Sequence, residues 1–354
     1  MNRPVDFSKV RNVLILRTDH LGDLLLSTPL IRKLRTALPG RRFTLVTSPS
    51  NVQALSGWDA IDEILLYDAN WPLRKKRKFL QDLWLTPWDL CLTLSPRTIS
   101  YILGRLSGAP VRAGLVYSRR VLVRLLSPLW LTHTVVSKVD ELVEAGEPVP
   151  HEVLQLEEVA RVLGLPADPP GRLELPVHPP ALLWAQEWLA AQGSPASGIV
   201  GIHGAFKWLS NGWTTADFLS LVRAVQDLPG VQKVLLTFGP GDTHLQAEVE
   251  SFLAKEPDPA LLLPGQLPVP RWAALFSRCD AIISPDTGSL HLAVALGRPV
   301  VAVYETRKFA HCSSQWAPWQ VRHAIVRREA PAVTVPLIAQ ELQRLRTEEG
   351  IPDV

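Results

Sequence analysis

The residues best suited to binding a phosphate lie in the C-terminal half of the sequence. They form the segment Ser284-Pro285-Asp286-Thr287-Gly288, which follows a short apolar run and precedes a helical pattern. Free backbone N–H groups at the start of such a helix attract anions, and Gly288 allows a phosphate to approach closely. Thr287 can donate from its hydroxyl, and His291, four residues later, shares its helical face. The segment therefore predicts a diphosphate site, unless Asp286 and Thr287 only cap the helix and His291 only packs.

A second polar segment follows the first apolar run of the chain and has the sequence Arg17-Thr18-Asp19-His20-Leu21-Gly22-Asp23. Two carboxylates beside a glycine are suited to general-base chemistry, in which a carboxylate takes the proton of an attacking hydroxyl. Asp23 is the favoured base because a nearby helix start keeps it ionised. The alternative interpretation, that Asp19 or Asp23 serves only as a helix N-cap, stays open on the residues alone.

Strands and helices alternate around the second segment, as in a parallel sheet built by right-handed crossovers. Apolar runs predict four strands, at Val13–Leu16, Phe43–Val46, Leu90–Leu94 and Val111–Ala113. Helices are predicted over Glu152–Leu163 and through the helically spaced leucines Leu26, Leu30, Leu34 and Leu38. Pro29 allows two versions of the leucine helix: one that starts near Asp23 and kinks, or one capped by Ser27 and Thr28 with Pro29 in its first position.

The alternation restarts after a proline-rich stretch, Pro166–Pro180, which we interpret as the linker. Four strands are predicted beyond it, at Ile199–His203, Lys233–Phe238, Ala281–Ser284 and Val300–Tyr304. Helices are predicted near Thr215–Asp227, Leu245–Ala254, Trp272–Arg278, Ser289–Leu296 and Val335–Arg346. The sequence thus predicts two Rossmann-like α/β domains, at residues 1–178 and 179–354, with the last helix able to pack back on the first domain.

The composition fits two globular domains. The 354 residues are 47% hydrophobic and 20% charged, which suffices for two cores and is unlike a disordered chain. The first residues, Met1–Asn12, lack an apolar stretch, and the longest apolar stretch, Val121–Val136, is interrupted by Arg124 and Pro128. We therefore expect neither a signal peptide nor a membrane span. The three cysteines lie far apart, so we expect no structural metal and a reducing, cytoplasmic location.

Charge is divided unevenly along the chain. Residues 1–130 carry 20 Lys and Arg against 9 Asp and Glu, a net +11, whereas residues 131–354 carry 17 against 25, a net −8. A basic first half suits an anionic acceptor or an anionic membrane surface. Its densest cluster, Arg74–Lys78, has apolar and aromatic neighbours and predicts peripheral contact with the inner face of the cytoplasmic membrane. The alternative is a solvated basic loop leading into a core-facing helix. Without a recognised nucleic-acid-binding module, nucleic acid is not an expected partner.

Together, the two polar segments resemble glycosyltransferase family 9, the ADP-heptose:lipopolysaccharide heptosyltransferases. The resemblance rests on Leu14-Ile15-Leu16-Arg17, Leu21-Gly22-Asp23, Thr28-Pro29-Leu30, Ser284-Pro285-Asp286-Thr287-Gly288, His291-Leu292-Ala293 and Leu296-Gly297-Arg298-Pro299-Val300. It implies the GT-B fold, in which two Rossmann-like domains face a central cleft. It also implies metal-independent, inverting transfer, without a cofactor, of heptose or a related sugar. The implied donor is ADP-L-glycero-β-D-manno-heptose, and the implied acceptor is a cell-envelope saccharide or a lipid-linked one.

The resemblance implies roles for the residues that match the family's motifs. Asp23 matches the catalytic base, and the donor diphosphate site comprises Asp286, Thr287, Gly288 and His291. The first segment also supplies candidates for acceptor contacts, namely Arg17, Asp19 and Gly22. Asp242 and Asn211 are further candidates for donor binding.

The sequence departs from the family pattern at the donor site. The family's lysine two residues before Trp213 is replaced by Asn211, and Glu305-Thr306-Arg307-Lys308 stands where Gly-Pro-Thr is usual. We expect Lys207, four residues earlier in the same loop, to contact the leaving diphosphate instead, because a point charge on a flexible stem tolerates such relocation. The alternative is a degraded donor site. Two other functions therefore stay open: a non-catalytic nucleotide-sugar-binding relative and a GT-B nucleotide-sugar epimerase.

Overall fold

The computed structural model describes residues 5–347. The chain divides into two compact units, Met1–Pro176 and Val177–Val354. Each unit contains a six-stranded sheet in which every neighbouring pair of strands is parallel. This is the doubly wound arrangement that the strand-helix alternation predicts.

The strands of the first unit are β1 (Asn12–Arg17), β2 (Arg42–Thr47), β3 (Glu63–Leu66), β4 (Leu90–Thr93), β5 (Val111–Tyr117) and β6 (His133–Ser137). Its helices are α1 (Leu21–Leu26), α2 (Thr28–Ala37), α3 (Leu73–Leu85), α4 (Thr98–Leu106), α5 (Val121–Trp130), α6 (Val139–Ala145) and α7 (Glu152–Leu163). The sheet order is β3-β2-β1-β4-β5-β6. The central strand β1 is apolar throughout Val13–Leu16, which is fully buried because helices cover both faces of the sheet.

The strands of the second unit are β7 (Ile199–Gly204), β8 (Lys233–Phe238), β9 (Leu261–Leu262), β10 (Ala281–Pro285), β11 (Val300–Glu305) and β12 (His323–Arg328). Its helices are α8 (Pro179–Ala191), α9 (Thr215–Gln226), α10 (Thr243–Lys255), α11 (Val269–Phe276), α12 (Gly288–Ala295), α13 (Phe309–Gln315) and α14 (Pro331–Thr347). The sheet order is β12-β11-β10-β7-β8-β9. Within this unit, α14 packs against β10, β11, β12 and α9.

The predicted strands and helices are confirmed, with small differences at their ends. α7 and β8 have the predicted bounds, whereas β5 extends to Tyr117 and α11 begins at Val269. Of the two alternatives for the helix through Leu30 and Leu34, the capped one agrees with the structure. Ser27 is the N-cap of α2, and Pro29 lies within its first two positions. The basic cluster Arg74–Lys78 lies on α3 itself, so the interpretation of this cluster as a loop is wrong.

Candidate active site

The predicted diphosphate segment joins β10 to α12, and the side chains of its two polar residues make no capping hydrogen bond. Thr287 is the N-cap residue, but its side chain makes no capping hydrogen bond. Its hydroxyl instead contacts the Ser289 hydroxyl at 2.6 Å and donates to the Pro285 carbonyl at 3.3 Å. The N–H groups of the first turn of α12 are therefore not engaged by the Thr287 side chain, as an anion site requires. His291 is buried in the same helix, 4% exposed.

Lys207 lies beside this helix start. It belongs to a short 3₁₀ turn, Phe206–Leu209, that follows β7. Its ammonium is 3.2 Å from the Asp286 carboxylate and also donates to the Asp286 carbonyl. A positive charge and the positive end of a helix dipole thus occupy the same edge of the sheet, which favours a polyanionic ligand there.

Two tryptophans hold the loop that carries Lys207. The indole N–H of Trp208 donates to the His203 carbonyl at 2.8 Å, and that of Trp213 donates to the Glu329 carbonyl at 2.7 Å. The two rings lie 5.6 Å apart in the core of the second unit, and both are buried. Large buried rings with satisfied polar atoms fix the loop at both ends.

A buried arginine from a third strand reaches the same loop. Arg328, the last residue of β12, is 3% exposed and donates to the Lys207 carbonyl and to the Ser210 hydroxyl. The Ser210 hydroxyl donates to the Glu305 carboxylate at 2.7 Å, and Arg328 lies 3.4 Å from that carboxylate. Burial lowers the pKa of Arg328, while Glu305 acts in the opposite direction. We call Arg328, Glu305 and Ser210 the loop clamp.

Asn211, where the resemblance implies a lysine, is part of a tight turn. Asn211 has φ of 56° and Gly212 has φ of 85°, so two successive residues are left-handed. Asparagine and glycine are the residues that tolerate this backbone best, and Asn-Gly is the preferred pair where both residues have positive φ. Asn211 is exposed, and its side chain makes no hydrogen bond within residues 5–347.

A cavity of about 260 Å³ opens beside Lys207 and Asp286. Its polar lining comprises Lys207, Asp286, Glu305, Lys308, His311 and Arg328. Three of these side chains are cations, and two are carboxylates already engaged with cations. The cavity is therefore suited to an anionic or strongly polar group.

Asp242 faces inward rather than toward solvent. Its carboxylate accepts the backbone N–H of Phe206 at 2.8 Å and that of Gly239 at 3.1 Å, and so ties the loop after β7 to the loop after β8. Burial raises the pKa of Asp242, although the two N–H donors act in the opposite direction. These contacts make it a support for the loops, and its proposed contact with the nucleotide stays a prediction.

In the first unit, Arg17 is the centre of the polar segment. Its buried guanidinium, 1% exposed, lies 3.3 Å from Asp19, 3.7 Å from Asp23 and 3.8 Å from Glu152. It also donates to the backbone carbonyls of Asp23 and Leu94. Burial alone disfavours its charged form, but the three carboxylates raise the pKa of Arg17 overall. Arg17 therefore fixes both the side chain and the backbone of Asp23.

The two candidate bases differ in accessibility. The Asp23 side chain is 28% exposed and the Asp19 side chain 7%. Burial and the neighbouring Asp23 raise the pKa of Asp19, against the effect of Arg17. The N-cap of α1 is His20, and it makes no side-chain capping bond, so the interpretation of either aspartate as an N-cap is wrong. Asp23 is thus the carboxylate of this segment that a substrate can reach.

Among residues 5–347, no cluster of three or more His, Cys, Asp and Glu side chains has a metal-binding arrangement. The same part of the chain contains no helix long and apolar enough to cross a membrane. The loop clamp and the tryptophan anchors were not predicted from the sequence.

The fold, two doubly wound parallel sheets with polar loops at their carboxyl edges, is that of the GT-B glycosyltransferases. A family model described as glycosyltransferase family 9 (heptosyltransferase) matches residues 76–335, and the chain belongs to this family. The chain is similar to lipopolysaccharide heptosyltransferase 3 of Escherichia coli, with 22% identity over 311 residues, or 84% of this chain and 83% of that protein.

Two solved structures show the same fold. A family 9 glycosyl transferase from Veillonella parvula DSM 2008 has a TM-score of 0.79 at 18% identity, covering 96% of this chain and 98% of that chain. The E. coli heptosyltransferase WaaC, solved with ADP, has a TM-score of 0.71 at 18% identity, covering 94% and 99% of the two chains. The chain therefore shares its architecture with heptosyltransferases over almost its whole length.

Proposed function

We propose that this glycosyltransferase moves heptose, or a related sugar, from ADP-heptose to a cell-envelope saccharide or lipid-linked acceptor, with inversion and without a metal. The observation that carries the proposal is the position of Lys207, whose ammonium lies 3.2 Å from the Asp286 carboxylate beside the start of α12. The solved complex of the relative WaaC with ADP supports ADP as the nucleotide.

The second unit supplies the leaving-group site. As the bond between the anomeric carbon and the diphosphate breaks, both bonding electrons stay on the phosphate oxygen, and negative charge grows there. We assign its stabilisation to Lys207, the Thr287 hydroxyl and the backbone N–H groups at Gly288, with His291 as a further donor from the same helix. The Asp286 carboxylate holds the Lys207 ammonium in place before the donor binds.

The first unit supplies the base. The acceptor hydroxyl oxygen forms the new bond to the anomeric carbon, and its proton passes to the Asp23 carboxylate. Arg17 orients that carboxylate through its 3.7 Å contact and its bond to the Asp23 carbonyl. Acceptor contacts are assigned to Arg17, Asp19 and Gly22 only as neighbours of the base, because Arg17 and Asp19 are themselves buried.

The state of the cysteines bears on where the protein works. All three cysteines are unpaired and buried, which fits a reducing cytoplasm. We therefore place the reaction on the cytoplasmic side of the membrane.

The test is a panel of nucleotide diphosphate sugars, followed by release of free nucleoside diphosphate with and without acceptor saccharide. We expect ADP release from ADP-heptose that requires acceptor, persists with a chelator present, and falls sharply in Asp23→Asn. Interconversion of the donor sugar with little diphosphate release would indicate an epimerase. Tight ADP-heptose binding without any turnover would indicate a non-catalytic binder, and either result would refute the proposal.

A further inference from the structure

Helix α5 in the first unit presents an apolar face to solvent. Its exposed large apolar side chains are Val121 (54%), Leu122 (70%), Leu125 (68%) and Leu129 (63%). The last three follow helical spacing and share one face, which we call the α5 face. Single exposed apolar residues are ordinary, but contiguous apolar patches on soluble proteins mark interaction sites.

The opposite face of α5 is firmly packed against the first unit. Val123 and Ser127 are buried, and Trp130 stacks on Tyr101 with ring centroids 5.7 Å apart. Tyr101 in turn donates from its hydroxyl to the Leu115 carbonyl at 2.6 Å. The helix is therefore fixed on the sheet with its α5 face outward.

Two neighbouring helices extend this surface. α3, α4 and α5 make successive connections in one direction across the sheet, and right-handed crossovers place them on the same side. α4 contacts both α3 and α5. Both neighbours expose apolar side chains, namely Leu73, Trp84 and Leu85 of α3 and Ile102 and Leu106 of α4.

The same stretch of chain is strongly basic. Residues 73–130 contain 11 Lys and Arg but only Asp82 and Asp89 as acids, a net +9. Arg124 lies exposed on α5 among the apolar side chains, and Arg105 lies exposed on α4. The Arg74–Lys78 cluster occupies the first turns of α3. Apolar side chains surrounded by cations are the composition of a helix that lies on an anionic bilayer.

We propose that α5, flanked by α3 and α4, docks the protein on an anionic lipid bilayer, with Leu122, Leu125 and Leu129 entering the interface. The Arg74–Lys78 cluster on α3 then attracts the anionic lipid headgroups, while α5 supplies the apolar side chains that enter the bilayer. A second copy of the chain is the weaker candidate, because an isologous contact would bring these like charges face to face.

The docking surface adjoins the carboxyl edge of the first sheet. α5 begins just after β5, and Arg120 at its start donates to the Thr98 hydroxyl at 3.0 Å. Ser95, three residues before Thr98, accepts the N–H of Thr18 at 2.8 Å. The start of the α5 face and the segment that holds Asp23 therefore share one edge of one sheet, where a lipid-linked acceptor would be presented.

The experiment is vesicle flotation of the full chain without sugar donor, so its outcome is independent of the proposed transfer. Vesicles are phosphatidylcholine alone or phosphatidylcholine with phosphatidylglycerol. The test variant combines Leu122→Ser, Leu125→Ser and Leu129→Ser. The matched control combines Leu154→Ser, Leu183→Ser and Val333→Ser, which remove three exposed apolar side chains from other helices. Thermal melting verifies that both variants are folded.

We expect the wild-type chain and the control to bind anionic vesicles, and the α5 variant to lose at least about tenfold in partitioning. Replacing the five Arg74–Lys78 cations with glutamine should also weaken binding, and raising salt to about 0.5 M should weaken it further. Equal binding to both vesicle types, or an α5 variant within about twofold of wild type, would overturn the proposal. A dimer that the α5 variant abolishes, without vesicle binding, would assign the face to a second copy.

Discussion

Lys207→Ala tests whether the displaced lysine supports the leaving group. In the wild-type protein its ammonium neutralises the Asp286 carboxylate at 3.2 Å, beside the helix start where we place the diphosphate. The variant loses one charge-assisted contact, worth about 1.5–3 kcal/mol. It also leaves the Asp286 carboxylate unpaired next to a polyanion.

Solvent limits the repulsion between the unpaired Asp286 carboxylate and the diphosphate. Unit charges 4 Å apart interact by about 4 kcal/mol at an effective dielectric constant of 20. The Lys207 and Asp286 side chains are 31% and 20% exposed, so water and salt reduce this repulsion to a fraction of that value. We therefore expect ADP to bind about 2–3 kcal/mol more weakly, which corresponds to a loss of about 30- to 150-fold in affinity.

Calorimetric titration measures the affinity for ADP. The double variant Lys207→Ala/Asp286→Asn separates the loss of the lysine contact from the repulsion by the unpaired carboxylate. Because the double variant removes the unpaired carboxylate, it should bind ADP more tightly than the single variant. Lys308→Ala is the comparison, since it removes a cation from an exposed residue of the same cavity. Loss below about threefold in Lys207→Ala, or a larger loss in Lys308→Ala, would refute the assignment to Lys207.

Three further outcomes are expected. Asp23→Asn should lower single-turnover transfer by about 10²- to 10⁴-fold while calorimetry shows ADP affinity nearly unchanged, because a general base acts in the transition state. Asn211→Lys should lower the free energy of unfolding by about 1 kcal/mol in urea titrations, since lysine tolerates φ of 56° poorly, and Asn211→Gly should be close to neutral. Burial lowers the pKa of His203 from 6.5 to about 3, so the unfolded chain takes up its proton first as pH falls. Stability that is present above pH 6.5 should decline below it, by about 1.4 kcal/mol per pH unit from this residue, and comparison with His203→Gln isolates the slope.

The four inner strands of each sheet were predictable because a parallel strand covered on both faces is a continuous apolar run, whereas the edge strands β3, β6, β9 and β12 were not predicted. β12 lacked that signal: it is an edge strand with alternating burial and three charged or basic residues among six. α5 was missed for a different reason. Pro128 lies inside the helix, and a proline is a strong local signal against a helix interior.

The local parts of the candidate site were predictable, and its long-range parts were not. A strand, a polar turn and a helix follow one another at Asp286 and Thr287, so their placement is a matter of local sequence. Arg328 and Ser210 are 118 residues apart and meet only through the order and register of the strands. In that register Glu305 of β11 lies directly opposite Arg328 of β12, a pairing that no local pattern indicates.

The two departures from the family pattern, at Asn211 and at Glu305-Thr306-Arg307-Lys308, are connected by hydrogen bonds. Ser210, next to Asn211, donates to Glu305, which belongs to the segment that replaces the family's Gly-Pro-Thr. Arg328 contacts Ser210 and Glu305, and it also donates to the Lys207 carbonyl. Here the new carboxylate is matched by a buried arginine, and both hold the turn from which Lys207 reaches Asp286. Because these contacts join the two departures from the family pattern and hold the loop that carries Lys207, we propose a rebuilt donor site rather than a degraded one, with Lys207 in the role of the absent lysine.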